Sequence, residues 1–327
     1  MKKINYASFN QDRSLLLCCY KDGYTVYNIR EDIVAVKNKP IQNGVKMIKN
    51  RHNSNLSLMV PNTKEGDIII IWDESSHCSI KKEKLHTEIK NIHTTTNCII
   101  VTVQDHIYIY NYNMVLLQDK ETSENKKGLC SINNSVNNLI IATIGNKNGR
   151  VEIWNTKTNI TVNIDAHENS INCIVLNREG TLVATSSIKG TLIRVFSTED
   201  GKKLYELRRG SNKAEIFDMS FSPNSKYLAC VSSSGTSHIF DLKINFDESK
   251  NRKSMLAYFR NYLPQYCSSQ WSFKYHNIGR GADAKCGFDN NNNLHIITYD
   301  GKYFKIGTKN SVFDNVEYKF LIENKEN

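Results

Sequence analysis

Residues 182–196, Leu182-Val183-Ala184-Thr185-Ser186-Ser187-Ile188-Lys189-Gly190-Thr191-Leu192-Ile193-Arg194-Val195-Phe196, hold the unit from which the whole chain is built. An apolar run ends in small hydroxylated residues, a glycine turn follows, and a second β-rich run ends in an aromatic. Short runs of this kind, bounded by Gly, Asn, Asp or Ser, read as strands joined by tight turns. The pattern recurs at residues 4–9, 15–20 and 23–28, then at 56–60 and 66–73, and at 98–103 and 107–110. It returns at 139–143 and 149–154, at 227–232 and 235–240, and at 294–299 and 301–304, which with 182–196 makes seven copies. The spacing of ~40–45 residues is that of a four-stranded propeller blade. A lone blade cannot bury both faces of its sheet, whereas radial stacking does so and leaves only short edges exposed. The expectation is therefore all-β, a seven-bladed β-propeller of four-stranded antiparallel blades over residues 1–327. Counted this way the chain opens at an innermost strand and ends near an outermost one, so ring closure need not use an exchanged strand. Two β-sandwiches would need a mid-chain linker, and none is visible.

Composition agrees. Hydrophobic residues at 39% and charged residues at 23% fit a folded soluble protein, and aromatics at 9% favour packed β structure. A net charge of +10 calls for an anionic partner, whether nucleic acid, membrane surface or acidic protein, and charge alone does not choose. The nine cysteines include the neighbours Cys18-Cys19 and form no C-x-x-C pair, which fits neither a disulfide framework nor a zinc site. Cys98, Cys173 and Cys230 sit in strand-like runs as small hydrophobes, so a reducing cytoplasm is the expected compartment. Met1-Lys2-Lys3-Ile4-Asn5-Tyr6 lacks an apolar signal core, and no stretch approaches the ~20 apolar residues of a spanning helix. Membrane contact is expected to be peripheral. The run Asn290-Asn291-Asn292-Asn293 reads as loop filler.

Between two of the repeats stands Leu207-Arg208-Arg209-Gly210. Successive side chains on an extended strand point to opposite faces, so adjacent arginines serve two neighbouring sites. Each guanidinium presents a planar fork suited to phosphate oxygens. An arbitrary Arg-Arg is usually a solvated basic pair. Here hydroxyls and a second basic or imidazole side chain flank it on both sides. Ser186, Ser187, Thr191 and Arg194 lie upstream, and Ser232, Ser233, Ser234, Thr236, Ser237 and His238 lie downstream, as two anion pockets would require.

One segment breaks the rhythm. Residues 243–269 separate Phe240-Asp241-Leu242 from Gln270-Trp271-Ser272-Phe273, where a hairpin turn would suffice. Residues 247–253 are polar; residues 255–263 place Met255, Leu256, Phe259, Tyr262 and Leu263 on one face of a helix, flanked by Lys250, Arg252, Lys253 and Arg260. That is the chemistry of an interfacial amphipathic helix. The alternative is a loop that folds its apolar face back onto the propeller.

With repeat, arginine pair and insertion together, the chain resembles the PROPPINs, the phosphoinositide-binding seven-bladed propellers that include the WIPI proteins of autophagy. The resemblance spans essentially the whole chain. Phe9-Asn10-Gln11-Asp12 resembles the family's opening blade and residues 190–196 its fifth. Leu207-Arg208-Arg209-Gly210 matches its F/L-R-R-G signature, and residues 263–273 resemble the re-entry after its sixth-blade loop. The resemblance implies a first headgroup pocket of His167, Ser187, Thr191, Arg194 and Arg208, and a second of Arg209, Ser232, Thr236 and His238. His167, in Asp165-Ala166-His167, is alternatively the internal histidine of a WD-type blade. If His167 and His238 touch phosphate, binding should strengthen from about pH 7.5 to 6, as imidazolium forms near its reference pKa of ~6.5.

The resemblance thus implies a peripheral membrane effector, cytoplasmic and recruited to pre-autophagosomal or endolysosomal membranes. It would bind phosphatidylinositol 3-phosphate and the 3,5-bisphosphate in blades 5 and 6, act with autophagy or trafficking proteins, and be monomeric before membrane binding. The competing reading is a WD-type interaction scaffold with a basic rim and no lipid specificity. Nucleic acid is not expected as a partner, since no RNA-binding signature is present. No H-E-x-x-H, G-x-S-x-G or Walker-type loop occurs, so neither catalysis nor a cofactor or metal is expected. The dipeptide Trp72-Asp73 resembles a structural WD pair.

Overall fold

A computed structural model describes residues 3–52, 54–63, 67–133, 135, 138–242, 270–308 and 316–321. The membrane-insertion expectation for Met255, Leu256, Phe259, Tyr262 and Leu263 falls outside them.

Among the described residues the chain is all β and forms seven sheets, the blades of a seven-bladed β-propeller. The first holds β1 (Tyr6–Phe9), β2 (Leu15–Tyr20), β3 (Gly23–Asn28) and β4 (Val34–Pro40). The second holds β5 (Val45–Asn50), β6 (Leu56–Pro61), β7 (Ile68–Asp73) and β8 (Cys78–Lys84). The third holds β9 (Asn91–Thr94), β10 (Cys98–Thr102), β11 (His106–Asn111) and β12 (Leu116–Glu121). The fourth holds β13 (Cys130–Ile132), β14 (Ile140–Ile144), β15 (Arg150–Asn155) and β16 (Ile160–Asp165). The fifth is β17 (Ile171–Leu176), β18 (Leu182–Ser187), β19 (Leu192–Ser197) and β20 (Lys203–Arg208), to whose edge β24 (Gln270–Trp271) adds in parallel. The sixth is β21 (Ile216–Phe221), β22 (Tyr227–Ser232), β23 (Thr236–Asp241) and β25 (Lys274–Asn277). The seventh is β26 (Ala284–Phe288), β27 (Leu294–Thr298), β28 (Lys302–Ile306) and β29 (Val316–Phe320). The parallel addition of β24 had no counterpart in the expected four-stranded blade.

Two compact units divide these strands, Met1–Leu129 with Asp289–Asn327, and Cys130–Phe288. In the first, Ile4, Leu16, Cys18 and Tyr27 pack with Ile297 and Tyr303, and the Ile4 N–H donates to the Tyr299 carbonyl at 3.0 Å. In the second, Ala184, Ile193, Val195 and Leu207 of the fifth sheet share one core with Ile216, Leu228 and Phe240 of the sixth. Burying such side chains contributes roughly 1.5–3 kcal/mol each, which fixes the two sheets that carry the candidate site.

A repeated device sets the turn between the first and second strands of a blade. A side-chain oxygen accepts the N–H that opens the second strand: Asn10 from Leu15 at 3.0 Å, Asn133 from Ile140, Asn177 from Leu182 and Ser222 from Tyr227, each at 2.9 Å. Asn and Ser suit this role because their short side chains reach backbone groups locally. The asparagine run lies in the β26–β27 turn, where Asp289 Oδ1 accepts the backbone N–H groups of Asn291 and Asn293 at 2.8 Å. Asp73, after Trp72, likewise accepts from the Ser75 N–H at 2.9 Å and both Ser75 and Ser76 hydroxyls. In blades one, two, three and five, the register shifts at the strand-ending aromatic, next to Tyr27, Trp72, Tyr110 and Phe196. Such bulges increase local twist.

Candidate anion-binding site

The expected site residues all lie in the unit Cys130–Phe288. Arg208 closes β20, opposite Leu192 of β19 on one side and Trp271 of β24 on the other, and is buried. Arg209 comes next, its N–H donating to the Thr191 carbonyl at 3.0 Å. The residue is 5% exposed. Nε donates to the Gly190 carbonyl at 2.9 Å, Nη1 to Ser234 Oγ at 3.3 Å, and Nη2 to the Asn212 carbonyl. A guanidinium has five N–H donors, so each terminal nitrogen of Arg209 keeps one. No carboxylate pairs with it among the described residues, and burial pushes its pKa down from the ordinary arginine value. A buried cation without a counter-charge is costly, and an anion placed there removes that cost.

Around Arg209 the second expected set forms one hydrogen-bonded chain. Ser234 Oγ meets Ser232 Oγ at 2.8 Å and Thr236 Oγ1 at 2.9 Å; Thr236 Oγ1 meets His238 Nε2 at 3.1 Å; His238 Nδ1 meets Ser272 Oγ at 3.0 Å. Arg209, Ser232, Thr236 and His238 are thus brought together through Ser234. That residue was visible only as one more serine of the downstream run. Ser272, at the re-entry from the 243–269 insertion, carries no local sequence signal. With Trp271 paired to Arg208, this re-entry is pinned beside both arginines.

The first expected set is less open. Ser187 ends β18, Thr191 precedes β19 and Arg208 ends β20, so all three stand at one end of the fifth sheet, and both Ser187 and Thr191 are buried. Arg194, further along β19, already has a counter-charge: Nε donates to Glu206 Oε2 at 2.9 Å, and Nη1 to the Ala166 carbonyl at 2.7 Å. Burial would raise the Glu206 carboxyl, but Arg194 and Lys203 together hold it below the usual range. His167 Nε2 meets Thr185 Oγ1 at 3.0 Å, a bond inside the blade of the WD-histidine kind.

Both histidines are neutral well below the expected pH range. Burial, and then the Arg194 charge, push His167 down to about 4; burial and Arg209 do the same to His238. The expected strengthening of binding toward pH 6 then depends on the phosphate itself raising these imidazoles, which are desolvated beside arginines.

The signature residues Phe9-Asn10-Gln11-Asp12 serve structure. Gln11 Nε2 donates to the Thr94 carbonyl at 2.8 Å and Gln11 Oε1 accepts the His52 N–H at 2.7 Å, tying the first sheet to the second and third.

Comparison with known proteins bears on the family and the fold. The PROPPIN family profile matches residues 3–301. Autophagy-related protein 18 of Dictyostelium discoideum is 30% identical over 98% of this chain and 94% of its own length. Autophagy-related protein 18e of Arabidopsis thaliana is 28% identical over 92% of this chain and 82% of its own. The solved structure of Kluyveromyces lactis Hsv2 superposes with a TM-score of 0.73 at 25% identity, covering 93% of each chain. A seven-bladed propeller of this sequence, matched along nearly its whole length, belongs to the PROPPIN family.

Proposed function

We propose that the chain is a peripheral membrane effector that binds 3-phosphoinositides, phosphatidylinositol 3-phosphate and the 3,5-bisphosphate, and links them to proteins of autophagy or endolysosomal traffic. One observation carries this reading. Arg209 is a buried guanidinium with unspent donors, no carboxylate partner among the described residues, and a wall of hydroxyls from Ser232, Ser234 and Thr236. Such a cradle fits phosphate, whose oxygens accept charged and neutral hydrogen bonds together. Arg208, Ser187, Thr191, Arg194 and His167 contribute the neighbouring site. There Glu206 must share Arg194 with the ligand, so the Arg209 pocket is the tighter of the two. Membership of a family whose relatives are named autophagy-related supports the cellular role.

Among the described residues no helix is long and apolar enough to cross a membrane. In this reading the apolar positions Met255, Leu256, Phe259, Tyr262 and Leu263 of the insertion enter the acyl boundary, with their Lys and Arg sequence neighbours at the anionic surface. The chain acts by binding, and two headgroup contacts on one body raise avidity by ~10²–10⁴ over either alone. Flotation with vesicles containing each phosphoinositide in turn, against phosphatidylserine vesicles, tests it. Selective flotation with 3-phosphorylated lipids is expected; equal flotation with phosphatidylserine alone would leave only a basic surface.

A further inference from the structure

The turn between β25 and β26 reads Asn277-Ile278-Gly279-Arg280-Gly281, an arginine between two glycines, and it packs on the turn that opens β23. The Ile278 N–H donates to the Gly235 carbonyl at 2.8 Å, and the Gly279 N–H to Asn277 Oδ1 at 2.9 Å. Arg280 Nε then donates to the Ser234 carbonyl at 3.3 Å. Its stem lies over Gly235, where an added Cβ would come within 2.8 Å of Arg280 Cγ. Arg209 and Arg280 therefore hold the same serine, one through its hydroxyl and the other through its carbonyl. Arg280 is exposed, is in no ion pair among the described residues, and keeps both terminal nitrogens for a ligand. Two guanidinium groups gathered at one residue, with no carboxylate paired to either among the described residues, repel each other, and one phosphate on Arg209 leaves the second cation unanswered.

We infer that Arg280 is the second cation of the Arg209 pocket, and that the two arginines select an inositol ring bearing two phosphates beyond the diester over a ring bearing one. This rests on the phosphoinositide reading above and assigns the headgroup class to one pocket. Arg209, buried and fixed by three protein bonds, takes the first phosphate. Arg280, held only at Nε, reaches the second.

Calorimetry with the soluble headgroups inositol 1,3-bisphosphate and inositol 1,3,5-trisphosphate tests the assignment on the full chain. The native protein should prefer the trisphosphate by about tenfold or more, the worth of one charge-assisted hydrogen bond at an exposed site. Arg280→Gln, which keeps the stem, should bring the two affinities within about twofold of each other by weakening the trisphosphate. Arg280→Lys should retain part of the preference. A native preference unmoved by Arg280→Gln, or an equal loss for both headgroups, overturns the inference while leaving the phosphoinositide reading intact. A native chain that binds neither headgroup nor vesicles carrying 3-phosphoinositides overturns both.

Discussion

Replacing Gly190 with alanine should damage the chain more than the same change at Gly210, although only Gly210 belongs to the Arg-Arg-Gly signature. Gly190 has φ +62°, and a Cβ built there would lie 1.8 Å from the Ala214 carbonyl oxygen. The left-handed backbone costs a non-glycine residue roughly 1–2 kcal/mol, and forcing packed atoms apart costs about 1–3 kcal/mol more. Gly190→Ala should therefore lose about 2–5 kcal/mol. The displacement would also reach the pocket, because the Gly190 carbonyl accepts Arg209 Nε at 2.9 Å and its N–H donates to the Ser187 carbonyl at 2.9 Å. A Cβ at Gly210 meets nothing within 4 Å, and its φ is not in the left-handed region. Gly210→Ala should leave stability unchanged or raise it by about 0.4–1 kcal/mol through the unfolded chain. Urea unfolding of both variants decides the matter. Equal midpoints for Gly190→Ala and the native chain, or a greater loss from Gly210→Ala, would refute the reasoning.

Three further outcomes follow from the same geometry. His167, His238 and His276 are each pushed down to about 4, burial being the leading cause, while an unfolded histidine titrates near 6.5. Between those values the unfolded chain takes up protons that the folded chain refuses, so this stability is complete above about pH 6.5 and is lost as pH falls toward 4. Imidazole resonances of these three residues titrating near 6.5 in the folded protein would contradict it. Changing Leu256 and Phe259 to Asp should weaken vesicle binding strongly yet leave affinity for a soluble headgroup and the melting temperature nearly unaltered. A large fall in melting temperature with unchanged flotation would mean that the segment packs on the protein. Arg280→Gln should erase the preference for the trisphosphorylated headgroup, as calorimetry would read.

What the sequence revealed follows burial. The second strands of the blades are covered on both faces, as in β22, buried at every position, while third strands such as β7 and β15 bury alternate positions, and glycine or polar turns bound both. They are therefore legible as apolar runs. Fourth strands such as β8 and β12 are largely exposed and rich in Lys, Glu and Asp, so no alternation announces them. The two-residue pairing of β24 joins Leu207 to Gln270 across the insertion, and no local pattern encodes it. The arginine pair and the hydroxyls after β22 stood out because they are neighbours in the chain. Ser272 and Arg280 did not, since each meets the pocket only where separate turns come together, 34 residues from His238 and 46 from Ser234. The Glu206 carboxylate that occupies Arg194 was unread for a simpler reason: opposite positions on β19 and β20 become partners only once the register is known.

The central claim is that the Arg208-Arg209 pair holds lipid phosphate. Its most direct test is flotation of an Arg208→Thr, Arg209→Thr double variant with vesicles carrying phosphatidylinositol 3-phosphate, alongside circular dichroism to confirm the fold. Losing two charge-assisted contacts, at roughly 1.5–3 kcal/mol each, should abolish flotation while the β spectrum stays native, and each single variant should keep part of the binding. Undiminished flotation by a natively folded double variant would contradict the account.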